Sequence, residues 1–239
     1  MYLQGSKLGK ISVLITTCFC RVHTPKMKAA LWIFVLAGND NDNNPMRKLK
    51  LQMQMSVDGF VAGPNGELDW MWLNNGQQDN AASIRAKVIE LADTCDTILL
   101  GRKMTPGFIS YWENVVDTQP DSPEQPLAQR MVNMRKIVFS RIQTDIPGRN
   151  LSLEKGDLAT VVRALKAEES DKDIMVYGGA DFVSSLISQN LIDEYYIFRN
   201  PVAIGKGLSI FTEQKPLILE SSVAFKSGKV VNKYLPVSG

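Results

Sequence analysis

The chain has 239 residues, a formal net charge of +2, and is 44% hydrophobic and 22% charged, the balance of a globular protein long enough to bury a sizeable core. So slight a charge, with no long basic run, argues against a nucleic-acid partner. Three cysteines (Cys18, Cys20, Cys95) and one histidine, His23, offer neither a disulfide framework nor metal-ligand spacing, so no metal is expected.

The first forty-five residues read differently from the rest. Two apolar runs, Ile11–Cys20 and Ala29–Gly38, precede the polar stretch Asn39-Asp40-Asn41-Asp42-Asn43-Asn44-Pro45. Each run falls short of the roughly 20 residues that span a bilayer, so no membrane partner is expected. The second run follows Lys26-Met27-Lys28, a basic flank suited to a signal peptide, but it starts internally and no Ala-x-Ala pattern follows. The favoured alternative takes Met46 as the natural start and residues 1–45 as an upstream extension outside the fold. A cytoplasmic domain over 46–239 is then expected, with export the second possibility.

Leu49–Ser56 alternates apolar and polar residues, which predicts a strand, and Gly63-Pro64-Asn65-Gly66 a turn. Ser83–Ala92 has helical spacing, with Ile84, Val88, Leu91 and Ala92 on one face. Thr97–Leu100 reads as a buried strand, Pro120–Pro126 as a surface loop and Ile137–Ser140 as another strand. Asp157–Ala167 reads as a helix with Asp157 as its cap. Ile174–Tyr177 is a strand, Ala180–Gln189 a helix and Tyr195–Phe198 a strand, and Val223–Leu235 suggests a hairpin turning at Ser227-Gly228. Strands alternating with helices imply one α/β domain, its mostly parallel central sheet flanked by helices on both faces.

In such sheets ligands gather beyond the carboxyl ends of the strands, and three of those ends carry suitable groups. Ile98-Leu99-Leu100 runs into Gly101-Arg102-Lys103, a close-approach glycine followed by two cations. Ile137-Val138-Phe139 runs into Ser140-Arg141, a hydroxyl and a guanidinium that suit a phosphate monoester. Ile174-Met175-Val176-Tyr177 runs into Gly178-Gly179-Ala180, where a helix N-terminus exposes N–H groups that favour a pyrophosphate. Taken alone, a Gly-Arg after a strand is more often just a turn, a Gly-Gly before a helix is as readily tight packing, and a Ser-Arg carries almost no information; their order is what carries weight.

That order resembles the three cofactor-binding segments of the dihydrofolate reductase superfamily. Its nearest branch is the C-terminal reductase domain of the riboflavin-biosynthesis deaminase-reductase, with its stand-alone relatives. Met55-Ser56-Val57-Asp58-Gly59-Phe60-Val61-Ala62-Gly63 resembles the opening strand and loop of that branch. Leu191-Ile192-Asp193-Glu194, Pro201-Val202 and Gly205-Lys206-Gly207 resemble its closing segment. The resemblance implies a dihydrofolate reductase-like fold and NADPH as cofactor. It places Gly101, Arg102 and Lys103 near the phosphates, Ser140 and Arg141 near the adenosine 2′-phosphate, and Gly178, Gly179, Ala180, Asp181 and Phe182 around the pyrophosphate. Met104 stands where relatives carry threonine, with Thr105 as a possible substitute, and Tyr177 where riboflavin-pathway reductases carry glutamate. A homodimer is possible by the same resemblance.

The expected partner is a small molecule, pterin- or pyrimidine-like. On periodicity alone the polar face Lys50, Gln52, Gln54 and Ser56 would belong to a half-exposed edge strand. The resemblance makes that strand central and turns Gln52 and Gln54 toward the substrate. Trp70, in Leu68-Asp69-Trp70, would lie near the nicotinamide, although Trp70, Trp72 and Trp112 could all be packing residues. Asp58, Asp69 and Asp79 are candidate acids, Asp58 equally a turn-shaping residue, so the catalytic residue is unknown. With no acid identified, a non-catalytic NADPH-binding protein of the same fold is the alternative to a reductase.

Overall fold

The structure is a computed structural model that describes the backbone of residues 46–72, 78–142 and 145–237, with side chains at all of these except 72–81. The extension before Met46, and with it the start-site question, lies outside the described residues, as do the side chains of Trp72 and Asp79. In chain order the elements are β1 (Leu49–Ser56), a 3-10 turn (Asp69–Trp72), α1 (Gln78–Asp93), β2 (Cys95–Gly101), α2 (Thr105–Thr118), α3 (Gln125–Asn133) and β3 (Arg135–Phe139). There follow β4 (Leu151–Glu154), α4 (Leu158–Ala167), β5 (Asp173–Val176), α5 (Ala180–Ser188), β6 (Glu194–Asn200), β7 (Leu217–Ala224) and β8 (Val230–Pro236).

The described strands make one sheet in the order β4-β3-β2-β5-β1-β6-β8-β7. Strands β1 to β6 run parallel, and the hairpin β7–β8 closes one edge in antiparallel fashion. The period of two in β1 decides how the layers divide. Leu49, Leu51, Met53 and Met55 join the core under α4 and α5, with Val162, Leu165, Val183 and Leu186. The other face of the sheet, with Ile98, Leu100, Val138, Met175 and Phe198, packs on α1, α2 and α3. Lys50, Gln52, Gln54 and Ser56 lie on that second face, inside the molecule rather than at an exposed edge.

Most expected elements are present, with shifted ends. α1 begins at Gln78 rather than Ser83, and Asp157 caps α4 by accepting from the Thr160 amide at 3.0 Å and its hydroxyl at 2.9 Å. The loop expected over Pro120–Pro126 is cut short, because α3 begins at Gln125. Proline in a first helical turn forfeits no intrahelical bond, so Pro126 starts a helix where composition suggests a loop. α2 opens on Thr105-Pro106-Gly107 for the same reason, and neither it nor the four-residue strand β4 is foreseen.

Lys136 on β3 is only 1% exposed. Its ammonium donates to the carbonyls of Met131, Val132 and Met134 at 3.0, 2.7 and 2.9 Å, closing the C-terminal end of α3 where unpaired carbonyls gather. Burial pushes its pKa down to about 8. The unfolded chain therefore binds this proton more tightly than the fold, and stability rises with pH between the folded and unfolded pKa values. Relative to Lys136→Met, the wild type is expected to gain about 2 kcal/mol between pH ~7.5 and ~9.5, read from denaturant unfolding of both proteins at each pH. An unchanged difference would contradict the depressed pKa.

One irregularity of the sheet positions the site. The β1–β5 ladder runs only from Leu49↔Ile174 to Leu51↔Val176, whereas the β1–β6 ladder continues to Ser56↔Asn200. Beyond Leu51, β1 has a strand neighbour on one side only. The chain leaves β1 toward α1 on one face and leaves β5 into α5 on the other. The gap between the carboxyl ends of β1 and β5 is thus a topological switch point, where α/β sheets place their ligands.

Candidate functional site

One wall of this crevice is built by two glycines. A side chain on Gly101, at the end of β2, would put its Cβ 2.8 Å from the Phe182 Cβ, and one on Gly179 would stand 3.5 Å from the Gly101 Cα. Gly179 also has φ +92°, a conformation that L side chains rarely adopt. The two glycines let the start of α5 close onto the end of β2. Gly179 caps α5 without any side-chain hydrogen bond, so the first amides of the helix are left for an external acceptor. Ala180, Asp181 and Phe182 form that first turn.

Cations surround this opening. Arg102 is half-buried, with no ion-pair partner among the described residues. Lys103 reaches across to Asp181 at 2.8 Å, and both side chains are largely exposed. Such a pair contributes little to stability, and its lysine can turn to a phosphate at small cost. The two hydroxyl-or-thioether positions next to them also differ in role. Met104 packs its sulfur over Gly178, within 3.1 Å of where a Cβ there would lie. The Thr105 hydroxyl donates to the Gly101 carbonyl at 3.1 Å and is fully buried. Its proton is therefore spent on the end of β2, and Thr105 does not replace the missing threonine at position 104 as a donor.

At the end of β3, Ser140 is buried and Arg141 exposed. The Ser140 amide donates to the Glu154 carbonyl at 3.0 Å, and the Phe139 and Phe182 rings sit 5.3 Å apart, which joins this corner to α5. The strand ends carrying Gly101, Ser140 and Gly178 are thereby gathered at one end of the sheet, as their parallel order requires.

The other wall is polar but uncharged. Gln52 is 2% exposed and pairs in register with Tyr196 on β6, one residue beyond the last β1–β5 pair, Leu51↔Val176. Its amide has no hydrogen-bond partner among the described residues. Gln54 is half-buried and accepts a hydrogen bond from Asn200 at 3.0 Å. Burial pushes the Tyr177 phenol far above its ordinary pKa, with Glu124 and Tyr111 adding to the shift, so it remains a neutral hydroxyl at any physiological pH. Its ring meets Phe108 edge-on at 5.2 Å.

Residues 47–231 match the RibD C-terminal domain. The chain belongs to that family. The Bacillus subtilis (strain 168) protein YyaP is 28% identical to it over 192 residues, 79% of this chain and 95% of that protein. A second protein of the same strain, YwjB, is also 28% identical, over 70% of this chain and 84% of its own length. Among solved structures, a putative riboflavin biosynthesis protein from Shewanella sp. PV-4 superposes with a TM-score of 0.59 at 20% identity, covering 81% of this chain and all of that one. Acinetobacter baumannii RibD superposes with a TM-score of 0.57 at 14% identity over 81% of this chain, and only 59% of that longer protein is spanned. The dihydrofolate reductase-like fold is shared at these distances.

Two candidates in this RibD C-terminal domain are occupied by local duties. Asp58 is exposed, and its carboxylate accepts from the Ser56 hydroxyl at 2.6 Å and from the Gly205 and Ile204 amides at 2.8 and 3.1 Å. The Ser56 hydroxyl bond foremost, then those two amides, holds it below the usual carboxylate range. It latches the loop after β1 to the segment after β6 and is a poor proton donor. Trp70 is buried, and its indole N–H donates to the Glu67 carbonyl at 3.2 Å within its own loop, while Trp112 packs in the helical core with Phe108 and Tyr111. Asn200 was not foreseen; its polar side chain at a strand end gives no sequence signal until its partner on β1 is known.

Proposed function

We propose that the protein is an NADPH-dependent reductase of a small nitrogen-heterocyclic substrate, pterin- or pyrimidine-like, acting by hydride transfer. The observation that carries this is the uncapped start of α5 closed against Gly101, with the cation Arg102, which has no ion-pair partner among the described residues, beside it. Such a corner suits a pyrophosphate, and it opens onto the crevice between β1 and β5. The bound nicotinamide would supply the hydride; the protein's part is to hold two rings in register and exclude water. Arg102, Lys103 and the α5 amides would hold the phosphates, and Gln52, Gln54 and Tyr177 would face the substrate with neutral hydrogen-bonding groups. A pyrimidine-like substrate gains support from the Thermotoga maritima neighbour, described as a 5-amino-6-(5-phosphoribosylamino)uracil reductase joined to a deaminase, with a TM-score of 0.52 at 16% identity.

NADPH oxidation measured against pterins, pyrimidines and quinonoid compounds tests the reading. Turnover with one ring class supports it. Tight NADPH binding without oxidation of any of them would instead identify a non-catalytic binding protein. Gln52→Leu sharpens the test. Gln52 is 2% exposed and no described residue hydrogen-bonds its amide, so the variant removes no bond within the protein and is expected to keep or raise stability and NADPH affinity while changing turnover or substrate preference. Unchanged turnover on every substrate would place Gln52 outside the site. The protein is further proposed to act as a cytoplasmic homodimer. No described helix is long and apolar enough to cross a membrane. The edge strand β7 leaves Ile218, Leu219 and Val223 exposed, and light scattering on the purified chain reads the dimer directly.

A further inference from the structure

We infer that Asn200 locks the Gln54 amide with its nitrogen turned toward the crevice, so that the substrate site selects a ring carbonyl over a ring amine at this position. The inference rests on the reductase reading of the crevice and names the kind of ring group it takes. Asn200 ends β6 and is 2% exposed. One terminal atom of its side chain lies 3.2 Å from the Phe198 carbonyl oxygen, 3.4 Å from that of Met55 and 3.0 Å from the Gln54 amide. Backbone carbonyls only accept, so that atom must be Nδ2; the reversed amide would press oxygen against two oxygens. One Nδ2 proton serves the two carbonyls and the other goes to Gln54, which must therefore present Oε1.

Nothing else about the pair is free to change. The Asn200 Oδ1 is buried with no partner among the described residues, a cost tolerated where the surroundings dictate the orientation. Gln54 is left with both Nε2 protons and no acceptor among the described residues. It sits on the stretch of β1 that has lost its β5 neighbour, and it is partly exposed. A ring carbonyl would satisfy that donor, whereas a ring amine would set N–H against N–H. Asn200 is thus a positioning residue, and Gln54 the group that reads the ligand.

The test has two arms on the full chain. In the first, side-chain amide hydrogen exchange is followed by NMR without ligand: the Asn200 amide protons should be protected and those of Gln54 exchange rapidly. In the second, the NADPH-saturated protein is titrated with lumazine, a pteridine dione, and with the corresponding diaminopteridine. The wild type should prefer lumazine about tenfold or more. Gln54→Glu, the same shape with an acceptor in place of the donor, should reverse the preference. Asn200→Ala should free the Gln54 amide to turn over and bring the ratio toward one, whereas Gln54→Glu inverts it, a change of sign that mere loosening of the fold would not produce. Protected Gln54 protons, no wild-type preference for lumazine, or a ratio unmoved by Gln54→Glu would each overturn the inference. Failure of NADPH to bind would instead defeat the reductase reading, and the exchange arm would still decide the amide orientation.

Discussion

Replacing Arg47 with alanine is expected to lower the unfolding free energy by about 3 kcal/mol, the low end of what breaking a buried ion pair costs. Arg47 is 4% exposed although it stands next to the first described residue. Its Nε donates to the Lys172 carbonyl at 2.8 Å, Nη1 to Glu168 at 3.1 Å, and Nη2 to Asp96, to the Thr97 hydroxyl at 3.1 Å and to the Asp173 carbonyl at 3.4 Å. One side chain thus joins the entry of β1 to β2, to the entry of β5 and to the end of α4. The Asp96 and Glu168 side chains are 41% and 40% exposed and would recover water if Arg47 were lost, which keeps the cost from the top of the range. The carbonyls and the Thr97 hydroxyl would not recover it as easily. Arg47→Lys should restore only part of the loss, because an ammonium cannot span this fan of acceptors. Denaturant unfolding of residues 46–239 measures both variants. A loss under about 0.5 kcal/mol, the scale of an ordinary surface substitution, would show that the network is already solvated. The same contacts place the edge of the fold. A chain starting at Met46 is expected to fold cooperatively, and one starting at Leu49 to be markedly weaker.

What could be read in advance follows from how parallel sheets are built. Strands buried on both faces are short apolar runs that stop abruptly, so Leu100-Gly101, Phe139-Ser140 and Tyr177-Gly178 announce both the strand and its functional end. The period of two in Leu49–Ser56 likewise separates a core face from a polar one. It does not say that the polar face is interior, because that depends on α1 and the other helices covering it, which no local pattern reports. α2 and α3 were missed because Pro106-Gly107 and Pro126 carry turn chemistry that a first helical turn also tolerates. The turn-shaping reading of Asp58 agrees with its bond to Ser56, but the distant partners of Asp58 and Asn200 are illegible for another reason. Asp58 is fixed by amides at 204 and 205, and Asn200 by Gln54 and Met55, partners more than a hundred residues away that only the parallel pairing of β1 with β6 brings together. Thr105 shows the limit at its sharpest. A hydroxyl one position late in the motif looks like a substitute, until helix geometry turns it onto the Gly101 carbonyl.

Arg141→Ala is expected to weaken NADPH binding about ten- to hundredfold and to leave NADH binding almost unchanged, the equivalent of one charge-assisted hydrogen bond of about 1.5–3 kcal/mol. The turn that presents Arg141 is rigid: the Ser140 amide is tied to Glu154 at 3.0 Å, and the Ser140 hydroxyl accepts from the Ile142 amide at 3.4 Å. The guanidinium itself is exposed and makes no hydrogen bond among the described residues. Removing it therefore breaks little within the protein, and the loss reads ligand contact rather than stability. A carboxylate that feels its charge is informative. The Asp157 carboxyl is held below its usual range first by the Thr160 amide and hydroxyl, with Arg141 and Arg163 adding to the effect. Both cations act on this carboxyl, so Arg163 is expected to retain part of the phosphate attraction in Arg141→Ala and keep the loss within two orders of magnitude. Arg163→Ala alone should cost less than Arg141→Ala, because Arg163 belongs to α4 whereas Arg141 stands on the turn itself. The Arg141 effect should shrink as salt rises, since an exposed charge is screened over about 8–10 Å near physiological ionic strength. Equal losses for NADPH and NADH would move Arg141 from the 2′-phosphate to a part of the cofactor common to both.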